Sequence, residues 1–420
     1  MNTTVKKRKG SAPSAKANKT GRRRMRETEV GRVHDAQWPL PMGPSFTVAR
    51  TQLIREMVRS VRRSGVVVLC APSGFGKTAL LLQFADEVRR DPGRGTVRVV
   101  DAREAMLDEL IVQLDTIERE CAQVPHPVIA IDDLPAFEGD AAKEFVAHVR
   151  GMREQGVEFA IACTPLAGET VRLLSDSAKL TAKQLAVRPR EFAEWSRVLA
   201  ISSKLDVYKL TQGVPALVAA LQATVDTMGE ERQPLATATC NLYSSVLDEL
   251  ERADDAIRIL AETLLLVGSG SLRDFAAAGT PVDMSCLQRL VHDYPVFGYD
   301  AATNNFACMG ADEGVLQPIG KRIAKGMPQI VRRAVRIQVR AGRAGRAVEL
   351  LDRFLSPADA LHVLSHDPMR FVLSGQAPFI NRIIGGSKGL EEQTNADPNL
   401  ELAVYGAALI SGDMRLARTL

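Results

Sequence analysis

Val66-Val67-Val68-Leu69-Cys70 runs directly into Ala71-Pro72-Ser73-Gly74-Phe75-Gly76-Lys77-Thr78, and this junction decides the fold. The first five residues are apolar and mostly β-branched, a run short enough for a buried parallel strand. Ala79 to Arg90 then reads as a helix that ends at Asp91-Pro92-Gly93. Between them lies the signature GxxxxGK[ST], with Ala71 in the first glycine position. Gly74 and Gly76 let the backbone curl so that successive N–H groups point inward and form an anion nest. The helix that begins near Lys77 adds the positive end of its dipole. Lys77 is expected to reach the β- and γ-phosphates of a nucleoside triphosphate, and the Thr78 hydroxyl to ligate Mg²⁺. Pro72, Ser73, Gly74, Phe75, Gly76, Lys77 and Thr78 therefore form the expected phosphate-binding segment, with a magnesium-bound nucleoside triphosphate as the expected ligand.

Working outward, Val128-Ile129-Ala130-Ile131-Asp132-Asp133 is a second apolar strand, and it ends in two carboxylates. A strand tip beside a phosphate loop is where an acid can hold Mg²⁺ through water, a role expected of Asp132. Asp133 is placed to orient or deprotonate an attacking water, with Lys77 and Asp133 as the expected catalytic pair. Asp reaches less far than Glu, so slow turnover is expected. Further strand-like runs at Val97 to Val100 and Phe159 to Cys163 alternate with helical stretches at Glu104 to Cys121 and Ala141 to Gln155. A helix is also expected over Val48 to Arg63, with Leu53, Ile54, Met57 and Val61 on one face. This alternation predicts an α/β fold with a parallel, doubly wound sheet over residues 46–165.

Beyond residue 165 the strand signal fades. Residues 166–230 are expected to form a helical lid, including helices at Pro189 to Ala200 and Pro215 to Met228. Residues 231–327 combine helices with a candidate hairpin, Val296-Phe297-Gly298-Tyr299 and Asn305-Phe306-Ala307-Cys308, a winged-helix-like pattern. Residues 328–420 look wholly helical, and Pro398 to Leu420 resembles one hairpin of a TPR-like repeat array.

Of the 420 residues, 45% are hydrophobic and 25% charged, as in soluble globular proteins of roughly two to four domains. No apolar stretch reaches the ~18–20 residues that span a bilayer, and no secretion signal is visible, so a cytoplasmic location without membrane contact is expected. The net charge of +4 conceals an asymmetry: residues 1–26 carry ten Lys or Arg and no acid, which leaves the rest at −6. With little to bury, residues 1–37 are expected to form a disordered basic tail, suited to non-specific contact with nucleic acid or simply to solvation. The six cysteines lack metal-ligand spacing and are expected to be free thiols, and the six histidines suggest no catalytic constellation.

With these motifs in place, the chain resembles the signal-transduction NTPases with numerous domains (STAND), AAA+-like P-loop proteins. The resemblance rests on Ala71 to Thr78, on the strand ending Asp132-Asp133, and on Thr211-Gln212-Gly213-Val214-Pro215-Ala216-Leu217, which matches the Gly-x-Pro motif of their helical lid. More narrowly, the order of parts is similar to the large ATP-binding LuxR-type transcriptional regulators of the maltose-regulon-activator kind. Arg50-Thr51-Gln52-Leu53 resembles their Arg-x-x-Leu entry to the first helix. The resemblance implies ATP held between P-loop domain and lid, Pro215 near the adenine or ribose, and self-association in the ATP state under an unidentified inducer. Two features depart from it. Thr164 stands where such proteins carry an arginine near the γ-phosphate, with Arg172 a nearby alternative, and no C-terminal helix-turn-helix is visible before Leu420.

Three functions compete on this basis. One is a nucleotide-gated switch in transcriptional regulation with slow ATP hydrolysis. The second is an AAA+-type motor or loader acting on nucleic acid through the basic tail. The third is a helical interaction scaffold with a vestigial nucleotide site, against which Lys77, Thr78 and Asp132 argue.

Overall fold

The computed structural model describes residues 48–91, 96–198, 211–226, 233–309, 313–385 and 397–412. The basic tail of residues 1–37 lies outside them. Five parallel strands make the main sheet: β1 (Val66–Cys70), β2 (Val97–Asp101), β3 (Val128–Leu134), β4 (Glu158–Cys163) and β5 (Ala178–Thr181). Their spatial order is β2-β3-β4-β1-β5. Because side chains alternate along a strand, each central strand feeds two cores. Val67 and Leu69 of β1, with Ala130 of β3 and Ala160 and Ala162 of β4, face one layer. Val66, Val68, Ile129, Ile131, Phe159 and Ile161 face the other. Full burial of each Val, Leu or Ile contributes about 1.5–3 kcal/mol, so strands apolar on both faces suit the centre of a covered sheet.

Helices cover both faces. α1 (Thr51–Ser64) and α2 (Lys77–Arg89) supply Leu53, Met57, Val61, Leu80, Leu81 and Phe84 to the first core. On the opposite face, α3 (Leu107–Glu120) and α4 (Gly139–Glu154) supply Leu110, Leu114, Ile117, Phe145 and Val149. β5 corrects the expected boundary at residue 165: the sheet continues to Thr181, where β5 pairs in parallel with β1. Ala178-Lys179-Leu180-Thr181 is a four-residue edge strand with only Leu180 deeply buried, which is too short and too polar to read as an apolar run.

After α5 (Gly168–Leu173) and α6 (Ala182–Leu185) come α7 (Pro189–Val198) and α8 (Pro215–Asp226). α9 (Gln233–Leu250) leads into a second body with α10 (Asp255–Val267), α11 (Leu272–Ala277) and α12 (Met284–Asp293). A three-stranded antiparallel sheet in the order β6-β8-β7 packs with them: β6 (Ser269–Ser271), β7 (Phe297–Asp300) and β8 (Asn305–Cys308). The candidate hairpin is present as β7 and β8, and β6 adds a strand that Ser-Gly-Ser does not announce. Tyr243 of α9 donates from its hydroxyl to Met309 O at 2.6 Å, pinning that helix to the small sheet. α13 (Glu313–Gly326), α14 (Pro328–Arg340) and α15 (Ala344–Phe354) begin a run of helices that the described residues follow to Pro398–Ser411.

Candidate functional site

The loop after β1 has the backbone that its glycines allow. Gly74 and Gly76 sit at φ 85° and 72°, in the left-handed region where a Cβ is penalised. Between them Phe75 turns its ring into the core, 1% exposed, and anchors the tip. Gly76 is also the N-terminal boundary of α2, so the helix starts with Lys77 directly at the loop. Lys77 is 6% exposed, and its ammonium donates to Ala71 O at 2.8 Å and Pro72 O at 3.1 Å. It therefore lies across the concave side of the loop, where inward-pointing amides and a cation can share an anion.

β4 lies between β1 and β3, so the tips of the phosphate-loop strand and the acidic strand flank Thr164 at the end of β4. The β3–β4 register shifts between Ile131 and Leu134, and this irregularity falls on the two carboxylates. Such shifts re-aim side chains at strand ends. Asp132 is 6% exposed and lies beside the Thr78 side chain, while its Oδ1 is buried with no partner. Burial pushes its carboxyl above the usual range; the Thr78 hydroxyl and the Lys77 charge pull the other way. A buried carboxylate oxygen without a donor, beside a threonine hydroxyl, is the donor set that a hard divalent cation takes, so the residues present fit Mg²⁺.

Asp133 lies in the left-handed region at φ 51°, an uncommon backbone for a side-chain-bearing residue and a local cost of order 1–3 kcal/mol. Its Oδ2 accepts from Arg103 Nε at 3.0 Å and Nη2 at 2.9 Å. In this conformation the expected water-activating carboxylate is held by a guanidinium from the loop after β2. Arg103 escaped the sequence reading because the whole of α3 lies between the two residues along the chain. Arg172 is exposed on α5 and outside the cleft that Thr164 lines; the arginines lining that cleft are Arg103, Arg252 and Arg289. Arg172 is thus an exposed helix charge rather than a replacement for the arginine absent at Thr164.

The Gly-x-Pro segment meets the loop directly. Ala216 N donates to Gly74 O at 3.0 Å, and a Cβ added at Gly76 would lie 3.6 Å from Pro215 Cβ. Pro215 therefore packs on the phosphate loop itself. Gly213, at φ 77°, abuts Val187 so closely that an added Cβ would lie 2.3 Å from Val187 O, and its own carbonyl accepts from Val187 N at 2.7 Å. At the other end of this connection Arg50, 6% exposed, donates to Leu185 O and Ala186 O and pairs with Glu191 at 3.1 Å. α9 contributes a contact no motif announces: Glu249 Oε1 accepts from Ser73 N at 3.1 Å and Ser73 Oγ at 2.9 Å.

Thus Ser73, Gly74, Phe75, Gly76, Lys77, Thr78, Asp132 and Pro215 converge on one loop, with Pro72 contributing a carbonyl and Asp133 set to one side under Arg103. Among the described residues all six cysteines are free, no group of three or more His, Cys, Asp or Glu side chains is placed to hold a metal, and no helix is long and apolar enough to cross a membrane.

No family model and no curated protein matches the chain. Similar solved structures include a Walker-type ATPase of Pyrococcus abyssi, PABY2304, at 13% identity and TM-score 0.41, over 65% of this chain and 96% of that one. RuvB of Thermotoga maritima matches at 13% identity and TM-score 0.34, over 62% and 92%. PCH-2 of C. elegans matches at 13% identity and TM-score 0.27, over 48% and 68%. At these scores the likenesses are distant. The strand order, the glycine-bearing loop and the strand-end carboxylates of this chain itself give it an α/β P-loop NTPase fold.

Proposed function

We propose that the chain is an ATP-binding signal-transduction NTPase, a nucleotide-gated switch of the STAND class in transcriptional regulation, with slow hydrolysis. One observation carries this reading: the phosphate loop is the meeting point of three modules. The P-loop domain supplies Lys77, Thr78 and Asp132, the start of α8 supplies Pro215 and Ala216, and α9 supplies Glu249 and Leu242. A ligand seated on that loop has to alter how the modules meet, and such differential contact is what lets a ligand shift a conformational equilibrium.

In this reading amides of residues 73–78 and the Lys77 ammonium bind the phosphates. Thr78 and Asp132 would hold Mg²⁺, which when bound neutralises charge on the phosphate oxygens. Pro215 contacts the base or ribose. Asp133, once released by Arg103, orients the attacking water. Residues 182–230, after the last strand of the main sheet, act as lid, 231–327 as a winged-helix-like module and 328–420 as the start of a TPR-like array. Reversing the switch from one part in a hundred to ninety-nine needs roughly 5.5 kcal/mol of differential affinity, within reach of several charge-assisted phosphate contacts.

The test is sedimentation velocity of the purified chain with a non-hydrolysable ATP analogue and with ADP. Larger particles with the analogue alone support the switch. Rapid turnover stimulated by DNA, with no change in particle size, replaces it with the motor reading, in which the basic residues 1–26 contact nucleic acid.

A further inference from the structure

α9 lies along the phosphate loop on one face. Leu242 and Glu249, two helical turns apart, both touch it: a Cβ on Gly74 would lie 2.9 Å from Leu242 Cδ1, and Glu249 Oε1 accepts from Ser73 N and Oγ. The Glu249 side chain is 8% exposed, and its second oxygen, Oε2, is buried with no partner. Burying a carboxylate with half its lone pairs unsatisfied is unfavourable, so this is not a contact that stability alone favours. It sits where an anion is wanted, on a backbone N–H of the nest and a loop hydroxyl.

Position along the loop sharpens this. Ser73 shares a cleft of about 730 Å³ with Asp133, Thr164, Tyr294 and Glu249 itself. It is therefore the part of the loop that opens into the cleft holding the proposed water-activating carboxylate, the side on which the last phosphate of a triphosphate would lie. We propose that Glu249 is a triphosphate-discriminating plug: its carboxylate takes the amide and hydroxyl that a γ-phosphate needs, and repels that phosphate while α9 remains docked. The proposal rests on reading residues 72–78 as the phosphate cradle. It gives the switch a trigger, because ATP is accepted only as α9 leaves Ser73, whereas a diphosphate need not reach that far. Two negatively charged groups cannot share those donors, since like charges within a few ångströms disfavour each other strongly. Burial raises the Glu249 carboxyl, the Ser73 bonds and Lys77 lower it, and Asp133 raises it, so desolvation makes the docked carboxylate costly to keep charged.

The experiment is titration calorimetry of Mg·ATP and Mg·ADP into wild type, Glu249→Gln, Glu249→Ala and Lys77→Ala, with circular dichroism on each. Glu249→Gln keeps the shape and one acceptor while removing the charge, so it serves if Glu249→Ala does not fold. The expected result is ATP affinity raised at least tenfold, ~1.4 kcal/mol, in the Glu249 variants, with ADP affinity moved by less than about threefold, ~0.65 kcal/mol. Equal shifts for both nucleotides, or none, while Lys77→Ala loses binding, overturn the plug but leave the phosphate cradle standing. Undiminished ATP binding by Lys77→Ala overturns the cradle itself.

Discussion

Replacing Gly74 by alanine tests how tightly the three modules close on the loop. Gly74 sits at φ 85°, where a side chain costs roughly 1–2 kcal/mol. Its new methyl would lie 2.9 Å from Leu242 Cδ1 and 3.3 Å from Ala216 Cβ. Crowding of this kind in a packed interior costs about 1–3 kcal/mol, so Gly74→Ala should lose roughly 2–5 kcal/mol in all. The two contributions separate in a double-mutant cycle. Leu242→Ala, at a site 5% exposed, should itself cost about 2–5 kcal/mol, but it removes the nearest obstacle. In that background Gly74→Ala should keep only the backbone part, which leaves a coupling of at least ~1 kcal/mol. The assay is urea unfolding followed by circular dichroism and tryptophan fluorescence, whose coincidence tests two-state behaviour. Equal costs in both backgrounds would show that α9 does not rest on the loop, and the packing account of the site would fail.

Other outcomes follow from the same geometry. Asp132→Asn should leave nucleotide affinity in EDTA nearly unchanged and abolish its enhancement by Mg²⁺; a metal-dependent increase equal to wild type would remove Asp132 from the cation site. Gly213→Ala, with φ 77° and a backbone oxygen 2.3 Å from the new methyl, should lower stability by about 3 kcal/mol or more, and a melting temperature within a degree of wild type would contradict the close approach to Val187. Burial raises the folded-state carboxyl of Glu249 above its ordinary value of 4.5. Its contribution to stability is therefore complete below pH 4.5 and declines as pH climbs through the raised value. The melting-temperature advantage of Glu249→Gln over wild type should grow with pH across that window and then level off; an advantage that shrinks with pH would mean the carboxylate is stabilised in its charged form.

What the sequence made legible was whatever burial or backbone geometry forces on residue type. β1, β3 and β4 are apolar on both faces because helices cover both sides of their sheet, and that need is written in Val66 to Leu69, Val128 to Ile131 and Phe159 to Cys163. Gly74 and Gly76 occupy left-handed positions and so announced the loop. β5 was not legible, because an edge strand four residues long needs one apolar side chain and has one, Leu180. Glu249 and Arg103 were not legible either. Each is one charge among many on a helix or loop, and its partner, Ser73 or Asp133, is fixed by how modules pack rather than by spacing along the chain. The left-handed backbone of Asp133 leaves no mark on residue type at all.

The central claim is that Lys77 and the loop amides neutralise the phosphates of a nucleotide. Titration calorimetry of Mg·ATP into the wild-type chain and into Lys77→Ala tests it most directly, with circular dichroism to establish that both are folded. Loss of the ammonium should weaken binding by about 100-fold or more, the equivalent of about 3 kcal/mol of charge-assisted contact. A folded Lys77→Ala chain that binds Mg·ATP as tightly as wild type would contradict it.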